Sequence, residues 1–101
     1  MPKQIIWSPL AVTDFGNVLD YLNENWNEQV VVRFINEIEI LISNIARQPK
    51  QFPLVNKKLK VRRCVVTKQN TLFYRESKDS IELLRIFDTR QNPNKLKLHN
   101  K

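Results

Sequence analysis

The sequence is poor in the residues that build cofactor sites and covalent frameworks. It holds one cysteine, Cys64, and one histidine, His99, so neither an internal disulfide nor a cysteine–histidine metal cage can form within one chain. A single glycine, Gly16, excludes the glycine-rich loops that cradle phosphates. No apolar run approaches the roughly 20 residues that a membrane helix needs. No long apolar stretch follows Met1-Pro2-Lys3-Gln4, so no signal peptide is expected either. What is present suffices for one core: 101 residues, 42% of them hydrophobic, make one domain spanning 1–101. The expectation is a small cytoplasmic domain with no cofactor and no membrane association.

Charge is plentiful but unevenly placed. The net charge of +7 divides into −3 over residues 1–47 and +10 over residues 48–101. A basic half of this kind points to a polyanion or an acidic protein segment as partner.

Hydrophobic spacing gives the elements. Ile5-Ile6-Trp7 reads as a short strand ending at Ser8-Pro9, a helix-start signal in which Ser8 caps free N–H groups and Pro9 takes the first helical position. Ala11, Phe15, Val18, Leu19, Leu22 and Trp26 then recur every three or four residues, the stripe of an amphipathic helix. Gly16 inside that helix suggests a close helix-to-helix contact. After a break at 23–28, Val31, Phe34, Ile35, Ile38, Leu41, Ile42 and Ile45 line one face of a second helix, which Pro49 ends. Three strands are expected at 60–67, 71–76 and 81–88, joined by short polar turns that imply an antiparallel meander. Residues 89–101 form a polar, basic tail. The fold class is α+β in the order β-α-α-β-β-β, an antiparallel sheet covered on one face by a helical hairpin and partly open on the other.

Several cations of the second half are candidates for a working surface. Arg62 and Arg63 are neighbours on a strand and must point to opposite faces. Arg85 shares a face with Ile81, Leu83 and Phe87, opposite Leu84 and Ile86, and calls for a carboxylate partner such as Glu76 or Glu82. Asp88 is placed to pair with Arg90. Tyr74, Trp7 and Trp26 read as packing residues, and Cys64 as a small buried hydrophobe.

Local patterns in this order resemble the RelE/ParE family of bacterial toxins from type II toxin–antitoxin systems. Trp7-Ser8-Pro9-Leu10-Ala11 with Asp14-Phe15 resembles the family's strand-to-helix junction, and Arg47-Gln48-Pro49 its exit from the second helix. Leu72-Phe73-Tyr74 resembles its middle strand, and Arg85-Ile86-Phe87-Asp88-Thr89-Arg90-Gln91-Asn92-Pro93 its last strand and the arginine beyond. The resemblance implies a toxin kept silent by a cognate acidic antitoxin, alone as a homodimer or with that partner as a heterotetramer. It implies one of two targets: DNA gyrase, inhibited without a nuclease centre, or the ribosome, where mRNA is cleaved without a metal. On a cleaving member Arg90, Lys57 and Lys58 would be catalytic, with Lys60, Arg62, Arg63 and Arg85 binding the target. Thr71 stands where cleaving members carry an arginine, and the first tyrosine or histidine after Arg90 is His99; both departures are those of a ParE-like member or of a degenerate nuclease. The readings outside this class are a non-enzymatic nucleic-acid-binding module and an inactive toxin homologue.

Overall fold

A computed structural model of the chain describes residues 3–89, so Arg90, His99 and most of the basic tail lie outside the described residues. The elements run β1 (Gln4–Trp7), α1 (Pro9–Asn25), α2 (Glu28–Arg47), β2 (Leu54–Asn56), β3 (Val61–Val65), β4 (Asn70–Glu76) and β5 (Ser80–Asp88). The α+β class and the β-α-α-β-β-β frame are as expected. The sheet, in the order β1-β5-β4-β3-β2, has one strand more than expected and one pairing of the other sense. The unexpected strand is β2, which pairs antiparallel with β3. Strand β1 pairs parallel with β5, because two intervening helices carry the chain away before the strand that meets it returns in the same direction.

Both helix starts are built by side chains. Ser8 Oγ accepts from Ala11 N at 3.0 Å and donates to the Leu84 carbonyl at 2.8 Å, so one hydroxyl caps α1 and ties it to β5. Asn27 Oδ1 accepts from Val30 N at 3.0 Å and starts α2 two residues after α1 ends. The core lies between the helix pair and one sheet face, with Ala11, Val18 and Leu22 of α1 and Phe34, Ile38 and Ile45 of α2 against Cys64, Leu72, Tyr74, Ile81, Leu83 and Ile86.

Three expectations are corrected here. Trp26 is not a packing residue: α1 ends at Asn25, and its indole turns outward with 64% of its surface exposed. Gly16 makes no close helix contact, since a Cβ built there meets nothing within 4 Å. The simple alternation along β5 also fails. Phe73 pairs with Arg85 but Tyr74 pairs with Leu83, leaving Leu84 as a bulged residue. The bulge reverses the side-chain parity, so Leu83 and Ile86 both face the helices while Arg85 joins Phe73 and Arg63 on the opposite face.

Candidate target-binding site

The basic residues gather where the β2–β3 hairpin meets the β4–β5 turn. In the hairpin, Asn56 Oδ1 accepts from Leu59 N at 2.8 Å and folds residues 57–60 into a tight turn. Lys60 closes that turn at φ 60, the left-handed region that glycine or asparagine enters at least expense. Arg62, one step into β3, donates from Nη1 to the carbonyls of Phe52 at 2.6 Å and Lys50 at 3.4 Å, clamping the segment that follows α2. From the other side, Lys3 Nζ reaches Glu76 at 3.1 Å and donates to the carbonyls of Ser77 at 2.6 Å and Lys78 at 2.7 Å.

These pieces enclose a cleft of about 640 Å³ lined by Lys3, Lys50, Lys57, Lys60, Arg62 and Lys78, with Glu76 as its one carboxylate. Lys3 already neutralises Glu76. Among the described residues no carboxylate lies within ion-pair distance of Lys50, Lys57, Lys60 or Lys78. Converging positive charges of this kind raise the local potential and favour a polyanionic ligand, which would relieve their mutual repulsion.

The expected site residues are therefore divided. Lys57, Lys60 and Arg62 share the cleft, and Lys58 sits exposed in the same turn without lining it. Arg63 is exposed on the opposite sheet face, in register with Phe73 and Arg85. Arg85 does not pair with Glu76 or Glu82. Its Nε and Nη2 donate to Asp14 Oδ2 at 2.7 Å and Oδ1 at 3.0 Å, and that hydrogen-bonded carboxylate holds the guanidinium pKa above its ordinary value. The same Asp14 Oδ2 accepts from Ile86 N at 2.9 Å, closing the β5 edge beyond the last residue that β1 covers. Glu82 instead accepts from Arg75, at 2.6 Å from Nη2. Arg90 lies outside the described residues.

Sequence reasoning missed Lys3, Lys50 and Lys78. No spacing rule connects them. Lys3 arrives through the parallel register Gln4↔Ser80, which sets the start of β1 beside the turn that carries Lys78.

The remaining reactive groups are committed to structure. Tyr74 is fully buried, its hydroxyl donating to the Pro49 carbonyl at 2.6 Å, and burial pushes its pKa up to about 12. Burial likewise pushes the Cys64 thiol up to about 11, so it stays protonated near neutrality.

A helical hairpin on one face of a five-stranded mixed sheet is a fold shared with solved structures from bacterial toxin–antitoxin systems. The ParDE system of Pseudomonas aeruginosa shares the fold at TM-score 0.72 and 15% identity, over 85% of this chain and 95% of the other. A YoeB/ParE toxin of Agrobacterium tumefaciens matches at TM-score 0.61 and 17% identity, covering 84% and 96%. The RelBE2 toxin–antitoxin complex of Mycobacterium tuberculosis matches at 0.59 and 14%, covering 87% and 99%. No curated relative matches the sequence. The family model for the ParE toxin of the type II toxin–antitoxin system parDE matches residues 5–93. The chain belongs to the ParE toxin family.

Proposed function

We propose that this protein is a growth-inhibiting toxin acting in the cytoplasm, that its basic cleft engages an anionic surface of a large cellular target, and that a cognate antitoxin keeps it silent. Of the two targets that the resemblance offers, DNA gyrase is favoured, by a blocking mechanism without strand cleavage. The observation that carries this reading is the cleft itself, six cations around one neutralised carboxylate. It attracts a polyanion, yet the described residues supply no histidine beside it, and Tyr74 is tied to Pro49. General acid–base cleavage works best with a proton carrier near the operating pH, whereas electrostatic blocking needs only the cations. The family assignment supports the same side of the division. An acidic antitoxin segment would suit the cleft by charge, and the similar proteins include toxin–antitoxin complexes.

Expression in a bacterial host tests the first half: growth should stop unless the neighbouring small reading frame is co-expressed. A supercoiling assay with purified gyrase, run beside 5′-end mapping of mRNA from a cell-free translation reaction, tests the second. Gyrase inhibition that weakens by about tenfold in a Lys57→Ala/Lys60→Ala variant is expected, the order of effect for removing two solvent-screened charge contacts. Codon-spaced cuts with unimpaired supercoiling would transfer the protein to the ribosome-dependent nucleases.

A further inference from the structure

At the pole opposite the basic cleft, the α1–α2 turn and the β3–β4 turn bound a second concavity of about 330 Å³. Leu22, Val30 and Phe34 supply its apolar wall, and Trp26, Glu37 and Asn70 its distinctive groups. We infer that this concavity is a docking site for an arginine side chain carried on a segment of a partner protein.

Four observations converge on that chemistry. Trp26 caps α1 and leaves most of its indole exposed at the mouth, a ready aromatic face for a planar cation. Asn70 is 1% exposed; its Nδ2 donates to Thr67 Oγ1 at 2.8 Å, but its Oδ1 has no hydrogen-bond partner. A buried carbonyl oxygen left unpaired is unfavourable, and an incoming N–H group would satisfy it. Glu37 has no ion-pair partner among the described residues, although Arg33 lies one turn before it on α2. Finally, the two turns and the helix ends beside them carry Asp20, Glu24, Glu28 and Glu37 against Arg33, which lines the concavity, and Lys68, a local excess of two negative charges on a chain whose net charge is +7.

This negative excess repels nucleic acid and favours a cation. Among cations, a guanidinium answers all the features at once. Its flat face matches the indole, its forked donors serve both an amide oxygen and a carboxylate, and its methylene stem suits the Leu22–Phe34 wall. A lysine ammonium lacks the planar face, and the volume suits one long side chain better than a whole helix. This surface is separate from the basic cleft, so the protein has two poles of opposite sign for two different partners.

The test titrates the capped peptide acetyl-Leu-Arg-Leu-amide, and its citrulline counterpart, into the full chain by calorimetry. Citrulline keeps the planar shape but removes the charge and replaces one terminal amino group of the fork by a carbonyl oxygen. The arginine peptide should bind and the citrulline peptide should bind about tenfold more weakly, as should the arginine peptide to Trp26→Ala and to Glu37→Gln. Both substitutions are at exposed positions, and unchanged melting temperatures would show that folding is intact. Equal binding of the two peptides, indifference to Trp26→Ala, or no binding at millimolar peptide would overturn the inference. So would peptide binding that strengthens in Arg90→Ala, which would give the site to the chain's own tail. A concentration-dependent dimer dispersed by the peptide would give it to a second copy and overturn the partner assignment equally.

Discussion

Lys60 carries a structural penalty at a position that lines the basic cleft. An L-residue in the left-handed region gives up about 1 kcal/mol relative to glycine, even after glycine's greater chain entropy is counted. The position is a hairpin turn where glycine would be the local optimum, yet it holds a lysine directed to the basic cleft. Lys60→Gly should therefore raise the unfolding free energy by about 1 kcal/mol in urea titrations while weakening target inhibition, a split that a purely structural lysine would not show. Tyr74 has the opposite profile. Losing its hydroxyl removes the hydrogen bond to the carbonyl of half-buried Pro49, so Tyr74→Phe should cost about 1 kcal/mol of stability. Ionisation adds a pH signature. Both Cys64, raised from 9.0 to about 11, and Tyr74, raised from 10.0 to about 12, have folded-state pKa values above their unfolded ones. Their contribution is fully present below pH 9, begins to fall as the unfolded thiol and then the phenol ionise, and is lost by about pH 12. Urea midpoints across pH 8 to 12 should decline in that window, and less steeply in Tyr74→Phe.

Among the elements, α1 carries a correctable weakness and β5 a necessary one. Gly16 sits inside α1 with open space where a Cβ would go, so Gly16→Ala should stabilise the protein by about 1 kcal/mol, read as a raised melting temperature. The bulge at Leu84 is different in kind. It turns Arg85 to the opposite face, while the end of β1 leaves Ile86 N without a strand partner, and one carboxylate, Asp14, answers both. Asp14→Asn retains one acceptor oxygen and loses the charge, so it should cost about 2 kcal/mol by the same measurement, well beyond an ordinary surface substitution. The resemblance drawn from Asp14-Phe15 and from Arg85-Ile86 marks two ends of this one interaction, 71 residues apart in the chain.

For the whole molecule, the dominant fact is the separation of charge. The cations Lys50, Lys57, Lys60 and Lys78, without an ion-pair partner among the described residues, come from three separate segments, and their shared cleft would let them act together on a polyanion. With a short double-stranded DNA fragment as probe, log K should fall against log salt with a slope of about −3.5, the value for four neutralised phosphates. The Lys57→Ala/Lys60→Ala variant should reduce that slope to about −2, measured by fluorescence anisotropy across the salt range. An unchanged slope would place the anion contacts elsewhere on the chain.

The amino-acid sequence by itself determined the elements other than β2, and their layering. The caps at Ser8 and Pro9, the 3.6-residue stripes of both helices and the short polar turns between strands are local signals, and local signals survive without knowledge of the fold. It also determined that a basic half exists, since charge is a property of composition. Tertiary structure alone decided which cations share a surface. The parallel entry of β1 brought Lys3 to Lys78, the left-handed turn directed Lys60 to Lys57 and Arg62, and the bulge in β5 sent Arg85 to the opposite face and into the grip of Asp14. It likewise decided that Trp26, in step with the apolar stripe, faces outward, because α1 stops one residue before it. Each of these depends on strand register or on where an element ends, and both are set by contacts between residues far apart in the chain, which no local pattern encodes.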